Sequence, residues 1–300
     1  MRLIHSLALV GLLLSGQASA QDRGTLHPKP LAPLANPDDP GTPAKELFGR
    51  RPTPASMSAR SIGFYSRGCL AGGAALPVDG QTWQVMRLSR NRNWGNPELV
   101  EFLERLSARV PGINGWPGLL VGDMSQPRGG PMLTGHASHQ IGLDADVWLT
   151  PMPDRRLSRA EREEMSAVDL VRADKLDVDP NRYTAAHLAL LRAVSREGEV
   201  ERIFVNPAIK RALCRDAGRD RAWLGKIRPM WGHNYHFHIR LACTGGGCQS
   251  QEPPSGDEGC GAELDRWFTP AMLHPRPGKP RAPMTMASLP AECRQVLVSP

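Results

Sequence analysis

Residues 135–149, GHASHQIGLDADVWL, restrict this chain more than any other stretch. They place His136, His139, Asp144 and Asp146 around a turn at Gly142. The tail, from Ala145 to Leu149, alternates as a half-buried strand does. On such a strand Ala145, Val147 and Leu149 share one face, and Asp144, Asp146 and Trp148 share the other. Two carboxylates on one strand face, preceded by two histidines, make a donor set for a cation. A second stretch, WGHNYHFHIRL at residues 231–241, has a matching pattern. His236 and His238 are two apart and share a face, while Phe237, Ile239 and Leu241 turn toward a core. Of the chain's nine histidines, five (His136, His139, His233, His236 and His238) fall in these two stretches, which random placement rarely produces. Imidazole with carboxylate suits zinc, and a catalytic zinc takes three protein ligands and keeps one position for water.

Residues 1–20 read as a cleaved export signal. Met1-Arg2 is a short basic start, Leu7 to Leu14 is apolar but too short to span a bilayer, and Ala18-Ser19-Ala20 is a cleavage site. No later apolar run approaches about 18 residues, so no membrane span is expected. The formal net charge of +7 suits a partner rich in carboxylates. Nucleic acid is not expected, because basic runs interleaved with aromatic residues are missing. Six cysteines in an exported chain read as three disulfides. Cys243 and Cys248 bracket a flexible Thr-Gly-Gly-Gly loop and pair with each other. Cys69 begins the folded region and Cys293 ends it, which pairs those two and leaves Cys214 with Cys260. Sequence alone leaves other pairings open.

Residues 21–60 are rich in Pro, Ala and Gly and read as an irregular arm, with folded structure starting near Ser61. A strand is expected from Trp83. Asn96-Pro97 starts a helix whose apolar stripe is Leu99, Val100, Phe102, Leu103, Leu106 and Val110. Between them, Arg87, Arg90 and Arg92 read as a solvated basic loop. Residues 119–121 read as a short strand, followed by a turn-rich loop to the first histidine pair. Ser158 and Glu161 have capping-box spacing for a helix to about residue 172. Residues 173–182 form an acidic loop with Asp174, Asp177 and Asp179. Then come a helix at 184–196, a strand at 203–205, a helix from Asn206-Pro207 carrying Cys214, and a short helix at 220–227. From about residue 244 the chain reads as a loop and Pro-rich tail, with one amphipathic piece near 264–268.

These residues resemble a known family, the penicillin-insensitive murein endopeptidases. They belong to the metallopeptidase clan that also holds lysostaphin, D-Ala-D-Ala dipeptidases and the hedgehog domain. The resemblance covers about residues 61–295. It runs through SIGFYSRGCL, the 135–149 stretch, RIFVNPAIKRALCRDAGRDRAWL, the H-x-x-H-x-H stretch and SGDEGCGAEL. His139 and Asp146 fit the family's H-x6-D, and His236 and His238 fit its H-x-H. The resemblance implies His139, Asp146 and His238 as zinc ligands. It also implies an α+β fold: a small antiparallel sheet carrying the zinc site, flanked by helices and long loops and stapled by disulfides. It implies accessory metal positions as well. His136 matches one and Asp174 another, and Asp177 stands where the family presents a histidine.

No H-E-x-x-H supplies a glutamate base, so His236 is the first candidate for proton transfer and His233 the second. His233 could instead stabilise an oxyanion as an imidazolium, and the two roles are exchangeable. Asp144 is expected to orient a histidine. The resemblance implies a zinc endopeptidase of the periplasm that cuts D-alanyl–meso-diaminopimelyl cross-links of peptidoglycan and is insensitive to penicillin. The chemistry agrees, since water activated by a metal forms no acyl-serine for a β-lactam to trap. Two other readings stand beside this one. One is a D-Ala-D-Ala carboxypeptidase or dipeptidase of the same clan, which needs a closed pocket with a cation for the terminal carboxylate. The other is a wall-binding protein in which zinc is only a structural clamp.

Overall fold

The computed structural model describes residues 23–253, 258–275 and 282–300. The export signal read at 1–20 lies outside them. The strand His236–Leu241 is the hub of the sheet. It pairs antiparallel with Asp144–Trp148 on one side and Val200–Val205 on the other. Leu119–Val121 continues the antiparallel set beyond Asp144–Trp148. Trp83–Val85 and Ile227–Pro229 then add one parallel strand at each edge, completing a six-stranded sheet. The antiparallel sheet expected is therefore the centre of a mixed one. Each parallel edge strand has only three residues, too few for periodicity to reveal its direction.

Register decides which side chains meet. Asp146 lies opposite His238, Trp148 opposite His236, and Asp144 opposite Arg240. Alternation sends Ala145, Val147, Phe237, Ile239 and Leu241 to the other face, where all are buried. The helices Pro97–Asn114 and Ala185–Ser195 pack in the same apolar cluster. Burying a Val, Leu or Phe side chain there is worth about 1.5–3 kcal/mol. A one-residue slip would turn that apolar set onto the polar face and drive the charged set into the apolar core, so the core locks the register of the site.

The helix Pro97–Asn114 starts as its sequence predicts. The Asn96 side chain accepts from the Glu98 N–H, and Pro97 occupies the first helical position. All six residues of its apolar stripe are buried. Asn96 Nδ2 also donates to Ser61 Oγ at 3.2 Å. Asn96→Ala is expected to lower stability by about 1–2 kcal/mol, read as a fall of a few degrees in Tm. An unchanged Tm would show that the cap is redundant.

Four expectations need correction. The helix opened by Ser158 has its capping box, but it spans only Arg159–Glu164 rather than reaching residue 172. Arg87 explains the early stop, because its guanidinium donates to the carbonyls of Arg162 (2.7 Å) and Met165 (2.8 Å), which a longer helix would need. Arg87 is thus a buried helix-end cap and not part of a solvated loop.

The second half of the arm is not irregular. Residues Ala44–Phe48 form a helix, and Ala44 and Phe48 are fully buried against Ile62, Val296 and Leu297. The tail is not merely loop either, since Glu292–Val298 is a helix within that same cluster. Each segment is too short to reveal its partner by itself, and their apolar residues gain meaning only together. Arg128 ties this corner down by donating to the carbonyls of Val296, Leu297 and Ser299. Disulfides join Cys69 to Cys293, Cys214 to Cys260 and Cys243 to Cys248.

Candidate metal centre

The polar face of the two central strands carries the site. Asp146 is buried, and its two carboxylate oxygens face different histidines. Oδ1 lies 3.4 Å from His139 Nε2 and 3.3 Å from His238 Nδ1. Those two ring nitrogens are 3.1 Å apart. Oδ2 lies 3.5 Å from His136 Nδ1 and 3.5 Å from His236 Nε2. One atom from each of His136, His139 and Asp146 falls within 4.8 Å of the others.

The backbone and its neighbours fix which ring nitrogens carry lone pairs. His139 sits in a left-handed conformation at φ 65° and is fully buried. Its Nδ1 is 2.7 Å from the Met124 carbonyl, which can only accept, so Nδ1 carries the proton and Nε2 presents a lone pair. His238 Nε2 lies 3.0 Å from Asp144 Oδ1, at an angle poor for a hydrogen bond but close enough to keep the proton on that side. Its Nδ1 lone pair then points at that of His139. Two lone pairs 3.1 Å apart, with an unpartnered carboxylate oxygen beside them, repel unless positive charge lies between them. A tetrahedral ion with ligand bonds of about 2.0–2.1 Å spaces its donors about 3.3–3.4 Å apart. The three donors fit such an ion.

Asp144 holds the base of the arrangement. It is fully buried and accepts from Arg240 Nε at 2.8 Å and from the His139 N–H at 2.9 Å. Burial alone would raise its pKa, but Arg240 and His238 hold it well below the usual carboxylate range. Asp146 is likewise held well below that range, with burial opposed by His236, His139 and His136. Burial pushes His238 down, but Asp144 and Asp146 outweigh it and raise the ring, another sign that this point attracts positive charge.

A cleft of about 350 Å³ opens above, lined by Asp123, His136, Asp146, Trp148, His233 and His236. His233 Nδ1 faces the Trp231 carbonyl at 3.0 Å, which leaves Nε2 as an acceptor. Burial, with His236 and His238 nearby, pushes His233 down to about 3. This favours the neutral ring near pH 7. Burial also lowers His236, to about 4, against the pull of Asp146.

The structure thus brings His136, His139, Asp146, His233, His236 and His238 together. It does not bring in Asp174 or Asp177, neither of which lines the cleft. Asp174 pairs with Arg172 and accepts from the Leu176 N–H, while Asp177 accepts from Arg215 at 2.9 and 3.2 Å. Their charges are already answered by arginines.

Sequence reasoning missed Asp123, which accepts from Arg90 at 3.0 Å and Arg92 at 2.8 Å and lies 2.9 Å from His136 Nε2. Burial is opposed there by His136 and the two arginines, which hold its carboxyl well below the usual range. Nothing local marks Asp123, because it enters through a loop. Arg240 was also missed, although it sits two residues beyond His238 on the same strand face, where strand spacing could have found it.

Imidazole and carboxylate lone pairs that converge under an open cleft, with neutral histidines beside them, have the make-up of a metallohydrolase site. Comparison with known proteins gives the family. The sequence model of the penicillin-insensitive murein endopeptidases matches residues 61–298. A penicillin-insensitive murein endopeptidase of Klebsiella pneumoniae subsp. pneumoniae is 44% identical over 247 residues, covering 81% of this chain and 88% of the relative. The Haemophilus influenzae protein of that name is 44% identical over 257 residues, covering 84% and 87%. One from Yersinia enterocolitica is 42% identical over 246 residues, covering 81% and 87%. The chain belongs to this family and is a peptidase.

Proposed function

We propose that this peptidase is a zinc-dependent endopeptidase of the periplasm that cleaves the D-alanyl–meso-diaminopimelyl cross-links of peptidoglycan and is insensitive to penicillin. The observation that carries the proposal is the triangle of His139 Nε2, His238 Nδ1 and Asp146 Oδ1, with edges of 3.1–3.4 Å. These three are the proposed ligands. His136 stands beside them as an accessory donor, because it faces the other oxygen of Asp146 and is held by Asp123. Bound there, zinc supplies Lewis acidity, lowering the pKa of a water to about 7 and polarising the peptide carbonyl.

The chain's own groups do the rest. The Met124 carbonyl orients His139, and Asp144 orients His238. Hydrolysis adds the elements of water across the C–N bond, so a proton must leave the water and reach the departing amine. His236 and His233 line the cleft, and their ring nitrogens are the groups placed to take that proton and pass it on. The cleft does not end at the histidines. A second cavity adjoins it, with Gly232 and Tyr235 in the walls of both, and this added room favours a substrate extending beyond the scissile bond over the closed pocket a carboxypeptidase needs.

The test is digestion of purified cross-linked muropeptide dimers, read by mass. Dimers should become monomers in the presence of penicillin, stop doing so with a chelator, and resume when zinc is restored. Loss of a single terminal alanine instead would establish the carboxypeptidase. Intact dimers with one zinc per chain would establish the structural clamp.

A further inference from the structure

The second cavity has a volume of about 660 Å³ and shares Gly232 and Tyr235 with the cleft. Nothing lies within 4 Å of where a Cβ on Gly232 would stand, so no side chain crowds this shared edge. One wall is the loop between Val171 and Val178, which is closed by a bridge between those residues. The Lys175 N–H donates to the Arg172 carbonyl, Asp174 accepts from the Leu176 N–H, and the Arg172 N–H donates to the Asp177 carbonyl. This wall is therefore a braced hairpin. Its acidic side chains are engaged, Asp174 with Arg172 and Asp177 with Arg215. Lys175 is not. Its ammonium has no partner among the described residues, and it lines the cavity together with Arg172. Lys175 also holds φ 62°, a left-handed conformation that glycine would adopt more easily. Trp231 lines the same cavity, and its indole Nε1–H is buried without an acceptor among the described residues.

We infer that this second cavity is a substrate subsite, in which Lys175 binds a free carboxylate on the peptide stem leading away from the scissile bond. The inference rests on the endopeptidase reading above and adds to it the group that recognises one arm of the branched substrate. An unpaired ammonium on a braced loop, in a cavity that adjoins the site cleft, matches a peptide that carries carboxylates beyond the bond to be cut. The acidic loop is thus recast. Its carboxylates shape the hairpin, and its lysine meets the ligand.

The experiment uses the full zinc-loaded protein and two cross-linked dimers, one with free stem carboxylates and one with those carboxylates amidated. Wild-type protein should show a KM about fivefold higher for the amidated dimer, the most an exposed ion pair ordinarily provides. Lys175→Met should raise KM for the free-acid dimer about fivefold, leave kcat within about twofold, and erase the difference between the two dimers. Lys175→Gly should show the same KM defect with a higher Tm, because it relieves the left-handed backbone. A merely structural lysine would not move KM while Tm rose. If wild-type protein cleaves both dimers and Lys175→Met leaves the free-acid KM unchanged, the subsite assignment is wrong and the endopeptidase reading stands. If wild-type protein cleaves neither dimer, both fall together.

Discussion

Asp146→Asn is expected to abolish metal retention and to reduce turnover below about a thousandth of wild type, with the fold intact. The magnitude follows from several kcal/mol of charge stabilisation lost in the transition state, at about 1.4 kcal/mol per tenfold. Asp146 faces four imidazoles through two oxygens and is buried with them. Asparagine keeps the shape but removes the negative charge and places an amide N–H where one oxygen stood. The backbone is indifferent, since the Asp146 N–H still donates to the Asp123 carbonyl at 2.9 Å. Elemental analysis of the purified variant gives the metal content, dimer digestion gives turnover, and circular dichroism checks the fold. Full zinc occupancy with wild-type turnover would remove Asp146 from the ligand set.

Arg240→Met should destabilise the protein by about 3–5 kcal/mol. Asp144 is fully buried, and Arg240 supplies its main opposite charge, with Nε at 2.8 Å. Arg240 also lies over the Tyr65 ring, 4.1 Å from its centre. Methionine keeps the length and leaves the carboxylate without its guanidinium.

The pH dependence follows from the sign of the shift. In wild type the Asp144 carboxyl is depressed on folding, so it contributes stability above its unfolded pKa of about 3.9, and that stability is lost as pH falls through the folded value. Without Arg240 the folded pKa rises, and the loss of stability moves toward neutral pH. Urea unfolding at pH 7 and pH 5 measures both effects. A change below about 1 kcal/mol with the same acid sensitivity would mean that His238 and the His139 N–H suffice to hold the charge.

The contrast between Asp146 and Arg240 shows where the sequence is informative. The segments holding His139, Asp146, His236 and His238 are legible because each is a short strand or turn whose alternation places ligand-type side chains on one face. The helix Pro97–Asn114 is legible for a similar reason, as its cap and stripe are both local. Asp123 is not, because it reaches the site from a loop and its meaning depends on Arg90, Arg92 and His136 arriving from elsewhere. The helix after Ser158 stops at Glu164 because Arg87, more than seventy residues upstream, takes the carbonyls that would have continued it. The acidic loop misled for the opposite reason. Asp174 and Asp177 are ligand-type residues whose arginine partners only the fold brings near.

The corner where Phe48 meets Val296 and Leu297 has a consequence for the life history of the chain. Phe48 and Ile62 share their cluster with Val296 and Leu297 of the helix Glu292–Val298, and Cys69 and Cys293 are 224 positions apart. A chain emerging from its N-terminus therefore carries Phe48 and Ile62 without part of their cover until that helix is made. Such a species is sticky, and it is the form a holding chaperone would grip. The central strands are also widely separated in sequence, so no early fragment carries both Asp146 and His238. The cutting centre is thus assembled only once the chain extends past His238, so a molecule stopped before that point cannot attack the polymer its finished form is built to open.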